Sequence, residues 1–332
     1  MVNRDIRFSL WLDFIERDFL KNEFGELLER GVINGATSNP AIFSNAIITS
    51  PAYKEQLESL EGVSPKEKYE ALAIEDIRTV ARLMRPLYDK GNDGFISIEV
   101  DPFLSNDSRG TYEEGRRLFK AIGEPNVMIK VPATQAGFEA MTELMGDGIS
   151  VNATLVFSQK QATQCFKAMN RGISKCEANG PCRLSGVISV FVSRFDRALD
   201  SELEACGIDP SKTGVYNAAK IYNMIEANDV PNIKTLFAST GVKGDNLPAN
   251  YYIKELLAPN SVNTAPLATI EAHLEAGDDK PMLPIDDAVL NGYFINLKDN
   301  GFDMDKISKK LLDEGLAQFE EAFSKMLESL ED

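Results

Sequence analysis

Short β-rich runs recur along the chain with helical patterns between them, and this alternation constrains the fold more than any other feature. The runs are SLWLDF from Ser9, NGATSNP from Asn34, FISIEVD from Phe95, VMIKVPAT from Val127, SVNATLVF from Ser150, GVISVFV from Gly186 and TLFAST from Thr235, with a weaker eighth, SVNTAP, from Ser261. Between them, stretches such as EFGELLERG, YEEGRRLFKAIG, SQKQATQCFKAMNRG and NAAKIYNMIEAN place apolar residues at helical spacing, and several end in the Gly that commonly stops a helix. Strands alternating with helices read as repeated βα units on a parallel sheet, and eight of them predict a closed (β/α)8 barrel.

No internal repeat, low-complexity tract or Pro/Gly/Ser linker marks a boundary, so residues 1–332 read as a single barrel domain. Two additions are predicted. The connection after the second strand, from about Ala41 to Asp93, is too long for one crossover helix and calls for extra helices. A C-terminal helical extension is expected over about 285–332, its part from Asp303 forming one or two amphipathic helices packed on the barrel's outside, either closing over its mouth or lying beside it.

Charge and composition exclude several functions. A net charge of −16 repels phosphate backbones and anionic lipid, which argues against nucleic acid or a membrane as partner. An anionic small substrate then requires a pocket that gathers basic groups locally. No apolar run approaches about 18 residues and MVNRDIRFSL has no apolar stretch after its charges, so a cytoplasmic protein is expected. Cys165, Cys176, Cys182 and Cys206 show no CxxC spacing, and reduced thiols are expected. The single histidine, His273, cannot build a multi-histidine metal site and reads as an exposed or capped helix residue, so no metal is expected. Proton chemistry must then rest on Lys, Glu, Asp or Tyr.

Strand periodicity locates that chemistry. Side chains alternate between the two faces of a strand, and a barrel strand shows one face to the helices and the other to the interior. Ile96, Ile98 and Val100 oppose Phe95, Ser97 and Glu99; Val127, Ile129 and Val131 oppose Met128 and Lys130. Leu10, Leu12 and Phe14 oppose Trp11 and Asp13; Val151, Ala153 and Leu155 oppose Asn152 and Thr154; Ile188, Val190 and Val192 oppose Val187, Ser189 and Phe191. The inward polar set is Asp13, Thr37, Asn39, Glu99, Lys130, Asn152, Thr154, Ser189 and Ser239, nearly all toward the C-terminal strand ends, where barrel enzymes carry their active sites. An ammonium inside a barrel costs several kcal/mol unless paired or deprotonated. Burial favours the neutral amine that attacks a carbonyl, so Lys130 reads either as a structural partner of Glu99 or as a Schiff-base former.

Thr37-Ser38-Asn39-Pro40 within GATSNPAIF, together with Lys130 within VMIKVPATQAG, resembles the two signature stretches of the transaldolase family. The likeness runs on through Asp13, Glu99, NATLVFS and VISVFVSRFDR, over roughly residues 5–245. It implies a (β/α)8 barrel whose fourth strand carries the lysine, and a cofactor-free transfer of a dihydroxyacetone unit between phosphorylated sugars, with the protonated imine as electron sink. By the resemblance, Lys130 forms the imine, Glu99 relays protons through a water held with Thr154, and Asp13 takes the hydroxyl proton whose loss breaks the C–C bond.

The same likeness has Asn39 and Asn152 hold the hydroxyls of the retained unit, and Thr37 is read as a further substrate-binding residue. Ser189 and Arg194 bind phosphate and Phe191 shapes the pocket. After the seventh strand some members read Ser-x-Arg where this chain reads Ser239-Thr240-Gly241-Val242-Lys243, which makes Lys243 the candidate second cation. The family includes dimers, so a homodimer is left open. Two other readings compete: an aldolase releasing free dihydroxyacetone, which Phe191 disfavours because aldolase relatives tend to place a water-positioning residue there, and a sugar-phosphate binding barrel without chemistry.

Overall fold

A computed structural model describes residues 5–331. Its eight strands, β1 (Ser9–Leu12), β2 (Gly35–Thr37), β3 (Phe95–Glu99), β4 (Val127–Pro132), β5 (Ser150–Val156), β6 (Gly186–Phe191), β7 (Ile233–Ala238) and β8 (Val262–Ala265), close into a barrel in sequence order. Every neighbouring pair is parallel, including β8 with β1. All eight runs read from the sequence are strands, and the predicted (β/α)8 barrel is the observed one.

Around the barrel lie α1 (Arg17–Asn22) and α2 (Phe24–Glu29) after β1, then α3 (Pro40–Thr49), α4 (Lys54–Ser59) and α5 (Pro65–Asp89) after β2. Single helices α6 (Ser108–Ile122), α7 (Gln135–Gly146) and α8 (Gln159–Ala178) follow β3, β4 and β5. α9 (Ser193–Ala205) and α10 (Thr213–Glu226) follow β6, α11 (Tyr251–Glu255) follows β7, and α12 (Leu267–Ala276), α13 (Asp287–Asp299) and α14 (Met304–Glu328) follow β8. The extra helices after the second strand and at the C-terminal end are therefore present. Their starts are encoded locally: Ser64 and Glu67 form a capping box around Pro65 at the head of α5, and Ser158 and Gln161 do the same for α8. Among the described residues, no helix is long and apolar enough to cross a membrane.

Two buried apolar sets reproduce the strand alternation. Leu10, Leu12, Ile96, Ile98, Ile129, Val131, Val151, Ala153, Ile188 and Val190 face the helices, in the larger cluster. Trp11, Phe95, Met128, Val187, Leu236 and Val262 belong to a second cluster that fills the barrel interior. Gly35 makes room for the largest of these, since a Cβ there would lie 2.4 Å from the Trp11 ring. Asp93 closes the lower end, accepting a hydrogen bond from Ser9, accepting another from Trp11 Nε1 at 3.3 Å and pairing with Lys234 at 3.0 Å. Apolar and paired groups fill the lower barrel, and the polar side chains of the strand ends collect at the C-terminal mouth.

Three expectations need correction, and one open placement is decided. Leu155 does not share the outward face of Val151 and Ala153: β5 is irregular between Ala153 and Val156, Leu155 has φ 57°, and the side chain joins the interior cluster. α14 crosses the barrel mouth, which decides between the two placements the sequence left open. His273 is only 5% exposed, because it shares the inner face of α12 with Thr269 and Ile270, and burial lowers its pKa. Cys176 at the end of α8 and Cys182 in the following loop come within 5.9 Å at Cα and form a disulfide, whereas Cys165 and Cys206 are free. The chain turning back after α8 brings that pair together, which sequence spacing alone does not reveal.

Candidate active site

At the C-terminal mouth a cavity of about 260 Å³ gathers Asp13, Thr37, Asn39, Lys130, Asn152, Thr154, Ser189, Phe191, Arg194 and Ser239 in its lining. Parallel register explains much of this convergence, since Glu99 on β3 stands beside Lys130 on β4, and Lys130 beside Asn152 on β5. Neighbouring positions on adjacent barrel strands put their side chains on one interior layer.

Lys130 lines the cavity, and Glu99, outside the lining, pairs with it. Lys130 Nζ lies 3.2 Å from Glu99 Oε2 and donates a hydrogen bond to the Ser38 carbonyl at 3.1 Å, with the Lys130 and Glu99 side chains 7% and 2% exposed. Burial pushes the Glu99 carboxyl up to about 7, against the pull of the Lys130 charge and with a smaller upward push from Asp13. A carboxyl poised there exchanges protons at neutral pH. Glu99 Oε1 and Thr154 Oγ1 are both enclosed and have no hydrogen-bond partner among the described residues.

Across the cavity, Thr37 donates to Asp13 Oδ1 at 2.7 Å and shares a second 2.7 Å contact with the Thr264 hydroxyl. Burial raises the Asp13 pKa, while the Lys130 charge and the Thr37 hydrogen bond oppose the rise. Ser189 donates to Asn152 Oδ1 at 2.6 Å, and Asn152 Nδ2 donates to Ser97 Oγ at 3.2 Å, which fixes the orientation of that amide. Asn39 has a local duty as well: its side chain caps α3 by accepting from Ile42 N–H at 3.1 Å.

The rim carries the charge an anion would need. Arg194, in the first turn of α9, is partly buried with its guanidinium 5.3 Å from the centre of the Phe191 ring, and it makes no ion pair among the described residues. Ser239 has φ 56° and its hydroxyl sits 3.0 Å from that of Ser193.

Lys243 is not brought to this cavity. Thr240 donates to Asn263 Oδ1 at 2.9 Å and to the Thr264 carbonyl at 2.8 Å, which pins the chain against β8, and Lys243 emerges exposed in the loop beyond. Among the described residues, no group of three or more His, Cys, Asp or Glu side chains is gathered to hold a metal ion.

The barrel also supplies residues that the sequence reading passed over. Thr264 was legible in the alternation of SVNTAP, where it shares the inward face of Val262. Gln318 and Phe319 come from α14, far along the chain, and line the same cavity.

The model of the transaldolase/fructose-6-phosphate aldolase family matches residues 10–330. The chain belongs to that family. Its family relatives include a protein named transaldolase from Campylobacter jejuni subsp. doylei, 48% identical over 331 residues that cover 97% of this chain and 99% of the relative. A transaldolase from Helicobacter pylori is 42% identical over 327 residues, again covering 97% of this chain and 99% of the relative. The match of the transaldolase/fructose-6-phosphate aldolase family reaches through α14, well past the stretches in which the sequence likeness was first legible.

Proposed function

We propose that this chain is a transaldolase of the pentose phosphate pathway. It moves a dihydroxyacetone unit from sedoheptulose 7-phosphate to glyceraldehyde 3-phosphate, giving erythrose 4-phosphate and fructose 6-phosphate through an imine on Lys130. The observation that carries this reading is the buried Lys130–Glu99 pair, 3.2 Å apart, whose lysine opens on a cavity with Asp13 and the Asn152–Ser189 pair in its walls. A lysine kept merely for structure needs no such opening above it.

Each role follows from position. Glu99, raised to about 7 by burial, can accept and return a proton at neutral pH as the Lys130 amine adds to the ketose carbonyl. Glu99 Oε1 and Thr154 Oγ1, both enclosed and without a hydrogen-bond partner among the described residues, would share a water through which protons reach the carbinolamine oxygen as it departs. Asp13 then removes the proton from the sugar hydroxyl, the C–C bond breaks, and its electrons pass into the protonated imine. Thr37 steadies Asp13 for this step. The retained three-carbon unit is held by Asn152, pre-set by Ser189, and by Asn39. Arg194, Ser239 and the first turn of α9 take the phosphate, where a helix N-terminus and a guanidinium act together, whereas Ser189, which the family likeness assigns to the phosphate, is engaged with Asn152. Phe191 brings no hydroxyl to hold a water, which supports transfer over release.

Borohydride reduction in the presence of fructose 6-phosphate, followed by intact mass and peptide mapping, tests the reading. A three-carbon adduct on Lys130 is expected, and the Lys130→Met variant should lose both adduct and transfer. Transfer retained in that variant, or ligand binding without any adduct in the parent, would sink the mechanism.

A further inference from the structure

α14 crosses the barrel mouth with one face down. Gly315, Phe319 and Phe323 recur every four residues and therefore share a face of the helix. At one end Gly315 meets the β5–β6 side, where a Cβ would lie 2.9 Å from Leu155 Cδ2 and 3.4 Å from Arg194 Nη1. At the other, Phe323 packs edge-on against Tyr69 at 5.4 Å, and beyond it Lys68 Nζ donates to the Leu330 carbonyl at 3.0 Å. Ser308 Oγ, before Gly315, donates to the Phe157 carbonyl. The helix is thus fastened on both sides of the opening, and Phe319 is held midway.

That midpoint is the reacting amine. Lys130 Nζ lies 5.6 Å from the centre of the Phe319 ring, within reach of a cation–π attraction, and Phe319 is itself 9% exposed. We infer that Phe319 roofs the imine on Lys130 and thereby sets the partition between transfer and loss of the three-carbon unit.

The chemistry gives the ring two jobs. The negative face of an aromatic ring favours a positive charge at Nζ, and the protonated imine is positive there. After cleavage the three-carbon unit waits as an enamine. It is lost if a proton reaches the carbon that released the aldose and water then adds to the imine carbon, so that the C–N bond breaks and free dihydroxyacetone leaves behind the Lys130 amine. A phenyl ring has no donor or acceptor with which to lead a water to that carbon. Phe319 is therefore a positioning residue, and the inference rests on the Schiff-base reading of Lys130.

Three variants of the full chain separate the jobs, assayed for transfer to an acceptor aldose, for free dihydroxyacetone without acceptor, and for the borohydride adduct. Phe319→Leu keeps an apolar cover but removes the ring. Its kcat for transfer should fall about fivefold at little-changed KM, with the product ratio near that of the parent. Phe319→Tyr keeps the ring and should restore kcat. Phe319→Ala should raise free dihydroxyacetone relative to transfer by about tenfold or more.

If Phe319→Leu and Phe319→Ala both stay within about twofold of the parent in kcat and ratio while the adduct still forms, the role of Phe319 is refuted and the Schiff base stands. If the parent itself forms no adduct, the Schiff-base reading fails first. Should Phe319→Ala not fold, Phe319→Ser takes its place, and a product ratio within about twofold of the parent there overturns the inference.

Discussion

Replacing Glu99 with Gln should change how the stability of the fold responds to pH. Folding moves the Glu99 pKa from 4.5 to about 7, burial being the largest cause, opposed by Lys130 and slightly reinforced by Asp13. A carboxyl with a raised folded pKa binds its proton more tightly in the folded chain. The stability it lends is complete below the unfolded value and is lost as pH rises through the folded one. Each pH unit of difference is worth about 1.4 kcal/mol, so the window from 4.5 to about 7 amounts to about 3 kcal/mol. Gln does not titrate, so the parent should lose about 3 kcal/mol relative to Glu99→Gln across that window.

The assay is urea unfolding followed by circular dichroism at closely spaced pH values from about 4.5 to about 8.5. Loss of the Lys130 partner lowers the variant at every pH, so the shape of the difference curve is the readout and not its level. Parallel stability curves would refute the reasoning. They would mean that Glu99 ionises near its ordinary value inside the barrel, and it would then have no proton to exchange with Lys130 at neutral pH.

Two further outcomes follow from the rim. Arg194→Ala should raise KM for a phosphorylated ketose by about ten- to a hundredfold, the worth of hydrogen bonds to a charged group, and leave turnover of an unphosphorylated ketose nearly unchanged; an equal effect on both, measured by steady-state kinetics, would remove Arg194 from the phosphate site. Gly315→Val should cost about 1–3 kcal/mol in denaturant unfolding and raise KM, because the new side chain meets Leu155 and Arg194 where a Cβ already lies 2.9 and 3.4 Å away. Unchanged stability there would mean that α14 sits less closely on the mouth than this contact requires.

The sequence by itself determined the barrel and most of the residues that line its candidate site, because both depend on short-range periodicity. A period of two within each run separated Ile129 and Val131 from Lys130, and Asn152 from Val151, and in a closed parallel barrel the inward face can only be interior. The strands' C-terminal ends then collected Asp13, Thr37, Lys130, Asn152 and Ser189 at one mouth without any knowledge of contacts. Thr264 obeyed the same rule in the weakest run.

Alternation failed wherever the backbone departs from a plain strand. The left-handed turn at Leu155 reversed its side chain, and the pinning of Thr240 to β8 left Lys243 exposed. The path of α14 was beyond reach for a different reason. Amphipathic periodicity says that Gly315, Phe319 and Phe323 share a buried face, but a helix can bury that face on the flank of a barrel as well as across its opening. What decides is packing between residues far apart in the chain: Leu155 and Arg194 receiving Gly315, Tyr69 receiving Phe323, and Lys68 holding Leu330. Those contacts exist only after the barrel has closed, and they set Phe319 over Lys130.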